Sequence, residues 1–247
     1  MNEMLTITTD AGQAQAYLTR PDDRRRPGVL MFMDAIGVRD RTKQMADRIA
    51  SWGYVVLLPH VFYREGTVED LAPGLDLTDP DQRAEFGKIS GPRVARYTPE
   101  LSNPDTAVWL DELARHASTP VGAVGFCMGA RLAIRAAALR PEDVAAVAGF
   151  HGAKLVEEGA EDSPHLLLPR TRAAYLFGHA DQDALNDAEA IAELEQSLEA
   201  AGLSATSAIY PNAPHGFTMS DTSSYQEAGA ERAFAELEPF LARALQG

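Results

Sequence analysis

The sequence holds one cysteine, Cys127, among its 247 residues. An intrachain disulfide is therefore excluded, and so is a zinc site built on several cysteine thiolates. Long apolar runs are also missing, since no stretch approaches the roughly 20 residues a membrane-crossing helix needs. The opening residues, MNEMLTITTD, lack the basic stretch and apolar run of a secretory signal. That predicts a cytoplasmic protein whose thiol stays reduced. Bases are scarce: 22 lysines and arginines face 36 acids, for a formal net charge of -14. Such a surface repels phosphate backbones and anionic lipid, so neither nucleic acid nor a membrane is an expected partner. The remainder is ordinary for an enzyme-sized chain, 45% hydrophobic and 23% charged, and long enough to bury a core without a metal or disulfide staple.

Polarity alternates over Met4–Thr9 and Gln13–Thr19, with Asp10-Ala11-Gly12 between, which predicts an N-terminal antiparallel hairpin. Gly28–Met33 (GVLMFM) and Tyr54–Leu58 (YVVLL) are continuous apolar runs, the pattern of strands buried on both faces. Apolar residues at helical spacing fall between them over Asp40–Trp52 and stop at Gly53. Residues 60–102 carry Pro73, Pro80, Pro92 and Pro99 with no sustained period; they read as an irregular excursion with short helices, part of a pocket wall. A helix is predicted over Asn103–Ala117, with Asn103 as N-cap and Pro104 at its first position. Further strands are predicted at Pro120–Gly125, Val144–Phe150, Ala173–Phe177 and Ser204–Tyr210. Helices are predicted at Met128–Leu139, Ala184–Ala201 and Tyr225–Leu245, the last interrupted near Pro239. Alternation of this kind predicts one α/β domain spanning residues 1–247, with a mostly parallel sheet and helices on both faces.

The segment richest in chemistry is Gly125-Phe126-Cys127-Met128-Gly129, between a predicted strand and a predicted helix. Gly-x-Cys-x-Gly is the cysteine form of the nucleophile elbow, a turn tight enough to demand small residues two before and two after the nucleophile. It aims the Met128 N–H at the reacting carbonyl, and the helix N-terminus favours a thiolate. A thiol nucleophile needs a base, and the base needs an orienting acid. Of the histidines after Cys127, His215 follows the last predicted strand, within Pro214-His215-Gly216-Phe217, and is the expected base. His179 is read as either a pocket or a plain loop residue, and His151 as packing beside the site. Asp181 and Asp183 share the loop after Ala173–Phe177, and Asp181 is preferred as the orienting acid. A second oxyanion donor is expected from Asp34-Ala35-Ile36-Gly37-Val38, at the N–H of Ala35 or Ile36, with Asp34 either beside the thiol or bracing the loop.

These pieces resemble the dienelactone hydrolase family, a branch of the α/β-hydrolases. The resemblance rests on the elbow around Cys127, Gly178-His179-Ala180-Asp181, Pro214-His215-Gly216-Phe217 and the loop at Asp34. It implies an α/β-hydrolase fold with no cofactor or metal and a Cys127-His215-Asp181 triad. It also implies hydrolysis of lactones or small esters through a thioester acyl-enzyme, by a monomer or homodimer. Two positions depart from the family's best-known members. Asp34 stands where they have Glu, and no Arg follows His215 to hold a substrate carboxylate. Arg93 and Arg96 read as solvated loop arginines rather than replacements. Two readings of another class remain: a non-catalytic small-molecule binder on a hydrolase scaffold, which binds esters without product, and a thiol redox sensor, which lacks a resolving cysteine in the chain.

Overall fold

Runs such as Val29–Phe32 and Val55–Leu58, apolar on successive residues, have no polar face to turn to water, and both are fully buried in the interior of one sheet. The computed structural model describes residues 1–246. Eight strands form that sheet: β1 (Asn2–Thr9), β2 (Gly12–Thr19), β3 (Pro27–Phe32), β4 (Val55–Pro59), β5 (Ser118–Phe126), β6 (Val144–Phe150), β7 (Ala174–Ala180) and β8 (Ala205–Tyr210). Their spatial order is β1-β2-β4-β3-β5-β6-β7-β8. The β1–β2 hairpin is antiparallel, β2 joins β4 antiparallel with Leu18 opposite Leu57, and the remaining pairs are parallel.

Chain order reverses between β3 and β5: β4 lies to one side of β3, while β5 to β8 build outward on the other. Such a switch point opens a crevice at the carboxyl ends of the strands. Phe32 pairs with Gly125, so the loop leaving β3 begins beside the turn leaving β5.

Among the described residues six α-helices and a 3₁₀ helix cover the sheet: α1 (Asp40–Ser51), α2 (Pro80–Arg96), α3 (Pro99–His116), α4 (Met128–Leu139), α5 (Ala188–Ala200), α6 (Glu227–Leu245), and Pro164–Arg170. Helices α1 and α6 meet through Arg48–Glu231 and through the Trp52 and Phe234 rings, 6.1 Å apart. Helices α3 and α4 pack against β3 and against one another. Among the described residues no helix is long and apolar enough to cross a membrane.

The 60–102 stretch departs from its expected irregularity. It contains a 17-residue helix, α2, that tolerates Pro92 in its interior. Asp79 caps it, accepting from the N–H groups of Asp81 and Gln82, and Pro80 sits in its first turn, where no N–H is missed. Helix α3 begins at Pro99 rather than at Asn103, so Asn103 is not its N-cap and Pro104 lies inside it. Both helices bury a side (Phe86, Ser90 and Arg93 from α2; Trp109 and Leu113 from α3), and that packing outweighs the proline penalty that local pattern alone registers. Helix α6 likewise runs unbroken past Pro239.

Candidate active site

The elbow forms where the residue types require it. Cys127 has φ 55° and ψ -122°, a strained conformation for a residue with a side chain, and it joins β5 to α4. Its two glycines permit the bend. A Cβ on Gly125 would collide with the Gly129 carbonyl, and one on Gly129 would lie 2.6 Å from the Phe32 carbonyl oxygen. The Cys127 N–H donates to Phe150 O at 3.1 Å, tying the turn to β6.

His215 is brought to the sulfur from beyond β8. Its Nε2 lies 3.1 Å from Cys127 Sγ, and its Nδ1 lies 2.6 Å from Asp183 Oδ2. The carboxylate that meets the His215 ring is therefore that of Asp183 and not, as the sequence suggests, that of Asp181. Strand β7 runs on to Ala180, three residues beyond the predicted Phe177, so Asp181 is the first residue past the sheet. Its carboxylate accepts from the Asn212 N–H at 2.9 Å and its own N–H donates to Ala213 O at 2.8 Å; Asp181 pins the acid loop to the histidine loop. The chain then turns left-handed at Gln182, φ 54°, and Asp183 swings inward to a buried position where its Oδ1 also accepts from the Leu185 N–H.

Burial disfavours a charged imidazole, but the neighbouring Cys127 sulfur and Asp183 carboxylate outweigh it and raise His215 to about 10. His151, fully buried beneath it with ring centroids 5.3 Å apart, is driven the other way, well below the ordinary histidine value, by burial and then by the charge on His215. Its Nε2 lies 2.7 Å from Thr218 Oγ1. His179 lies within β7 rather than past it, bonded to Ser207 Oγ and Asn186 Nδ2, away from the cleft; burial lowers it to about 4.

Asp34 braces its loop. Its Oδ1 accepts from the N–H groups of Ile36 and Gly37, and Arg39 grips both carboxylate oxygens, at 2.8 and 3.1 Å. No bond joins Asp34 to Cys127 among the described residues. Ile36 is therefore corrected as an oxyanion donor, because its N–H is already taken. The Ala35 N–H has no acceptor among the described residues, and the Met128 N–H opens α4, where no intrahelical acceptor exists. Arg39 also grips Asp221, at 2.6 and 3.1 Å, and Arg41 donates to Thr218 O, so the β3 loop and the loop carrying His215 are bound together.

Cys127 and His215 line a cleft of about 310 Å³, walled by Asp34–Ile36, by Leu77, by Arg83, Phe86 and Ser90 of α2, and by Met219. Its cation is Arg83, which sequence reasoning missed because the turn periodicity of α2 was hidden among prolines and glycines. Arg93 and Arg96 lie elsewhere: Arg93 is buried, 3.7 Å from Glu65 and over the Phe62 ring, and Arg96 pairs with Glu65 on the surface. A larger groove, about 880 Å³, runs between the 156–161 loop and α5; it is lined by acids and carries no nucleophile. No group of three or more His, Cys, Asp or Glu side chains is placed to hold a metal among the described residues.

Comparison with known proteins bears on the family and the fold. The model of the dienelactone hydrolase family matches residues 14–245. A Salmonella typhi protein named "Putative carboxymethylenebutenolidase" is 28% identical over 251 residues, covering 96% of this chain and 86% of the relative. An Escherichia coli K12 protein of the same name is 29% identical, covering 92% of this chain and 81% of the relative. A crystal structure of a "Putative Dienelactone Hydrolase" from Klebsiella pneumoniae superposes with a TM-score of 0.81 at 24% identity, covering 98% of both chains.

Proposed function

This chain belongs to the dienelactone hydrolase family and is a hydrolase, and on that footing we propose that it cleaves lactones or small carboxylic esters through a Cys127-His215-Asp183 triad and a thioester acyl-enzyme. The observation that carries the reading is the unbroken line from Cys127 Sγ to His215 Nε2, 3.1 Å, and from His215 Nδ1 to Asp183 Oδ2, 2.6 Å, opening on the cleft. The high value of His215 suits a pair whose proton rests on the imidazole.

The sulfur attacks the ester carbonyl. The Ala35 and Met128 N–H groups receive the oxyanion, a contribution of about 3 kcal/mol for each well-aimed donor. The C–O bond breaks, and the imidazolium gives its proton to the departing alkoxide. A water enters, surrenders a proton to His215 and attacks the thioester; the carboxylic acid leaves and the Cys127–His215 pair is restored. Asp183 holds the imidazole tautomer and offsets its charge throughout. Arg83, on the cleft wall, favours substrates carrying a carboxylate beside the scissile bond.

A panel of p-nitrophenyl acetate and simple lactones, read with wild type, Cys127→Ala and Cys127→Ser, tests the proposal. Hydrolysis is expected in wild type and loss of it in Cys127→Ala. Turnover that survives Cys127→Ala, or binding without product across the panel, contradicts it.

A further inference from the structure

Helix α4 carries two arginines one turn apart, Arg131 and Arg135, on the side away from the catalytic cleft. With Lys154, from the segment after β6, they line a separate cavity of about 210 Å³ closed by the end of α2 and the start of α3. Two of the three cations are matched by acids on the same wall. Arg135 donates to Asp162 O at 2.6 Å and lies 3.5 Å from its carboxylate, and Lys154 meets Glu157 at 2.9 Å. Arg131 is half-buried and has neither a hydrogen bond nor an ion pair among the described residues.

That arrangement is costly as it stands. Like charges one turn apart on a helix repel. The Arg131 guanidinium, half-buried and without a protein acceptor, still reaches solvent at the cavity, so its donors stand free for a ligand. Burial lowers both Arg131 and Arg135 from the ordinary arginine value. The molecule as a whole carries a net charge of -14, so general attraction for anions is absent and an anion held here must be held by this cluster.

We infer that the cavity behind α4 is an oxyanion-binding site, in which Arg131 presents its planar fork to two oxygens of a phosphate or carboxylate group. Arg135 and Lys154 add charge at its edges, and Ser102 and Thr98 line the wall that α3 contributes. The site is separate from the Cys127 cleft and shares no lining residue with it; α4 links the two, with Cys127 at its N-cap and Arg131 four residues on.

The test uses the wild-type protein. Arginines are modified with phenylglyoxal in the presence of inorganic phosphate, acetate or chloride at equal ionic strength, and the modified peptides are read by mass spectrometry. Modification of Arg131 is expected to slow about tenfold when phosphate or acetate stands at about ten times its dissociation constant, relative to chloride. Protection by phosphate alone assigns a phosphate-bearing ligand, and protection by acetate alone a carboxylate. In parallel, phosphate is expected to raise Tm saturably in wild type, with the increment lost in Arg131→Gln. Equal modification of Arg131 in all three salts overturns the inference, as does protection that falls on Arg83 in place of Arg131.

Discussion

Asp183 and Asp181 stand two residues apart and face opposite ways: Asp183 Oδ2 is 2.6 Å from His215 Nδ1, and Asp181 Oδ2 receives the Asn212 N–H at 2.9 Å. In the proposed triad the first carboxylate orients the base, while the second fastens the loop that carries it. The two substitutions should therefore separate cleanly. Asp183→Asn is expected to lower kcat by about 10³–10⁴, since the imidazole loses both its tautomer control and its counter-charge. Asp181→Asn leaves an amide able to accept the same N–H, and its effect should stay near the ±0.5 kcal/mol typical of surface changes. Steady-state kinetics on an activated ester reads both.

The proton on His215 gives a second prediction. Its value, about 10 in the folded protein, lies above the ordinary 6.5 despite burial, because of Cys127 first and Asp183 next. A raised folded value adds stability that is fully present below pH 6.5 and is lost as pH climbs through about 10. Nuclear magnetic resonance of the imidazole nitrogens should show the ring titrating near that upper value in wild type and lower in Cys127→Ala. A ring that titrates unchanged after removal of the sulfur would separate the two residues electrostatically.

At the acid end the sign reverses. Burial lowers His179 to about 4, and the unfolded chain takes up the proton first, so its contribution is complete above pH 6.5 and falls away between 6.5 and about 4. The loss amounts to at most about 3 kcal/mol. Urea denaturation across that interval should show a shallower decline in His179→Gln than in wild type.

How much of this was legible in advance follows from the range of the forces involved. The hairpin, the buried strands and the Gly-x-Cys-x-Gly turn are written in short-range pattern, and the fold and the pairing of Cys127 with His215 follow from it. Helix α2 was not legible, because it is held by burying Phe86 and Ser90 against distant chain while its own sequence carries Pro92 and Gly87. With it went Arg83, the cation of the cleft. Choosing between Asp181 and Asp183 required knowing where β7 stops, and strand ends are set by pairing with β8, where Ala180 still meets Tyr210. The role of Asp34 depended on Arg39, five residues on, whose side chain turns back to it and also reaches Asp221, far along the chain.

That arginine supplies a further prediction. Arg39 lies half-buried between two carboxylates, one on the loop after β3 and one on the loop that carries His215. Burial opposes its charge, yet Asp34 and Asp221 raise it above the ordinary arginine value. Arg39→Met leaves Asp34 buried without its partner and is expected to cost about 3–5 kcal/mol of stability. Asp34→Asn made in the same chain should recover part of that loss, and a double-mutant cycle followed by thermal unfolding measures the coupling.

The most direct test is of the covalent intermediate. Wild-type protein mixed with an activated ester and quenched in acid within the first turnovers should carry one acyl group, and peptide mapping by mass spectrometry should place it on Cys127. An acyl group found on another side chain, or rapid turnover in which Cys127 never gains mass while Cys127→Ala remains active, would contradict the account.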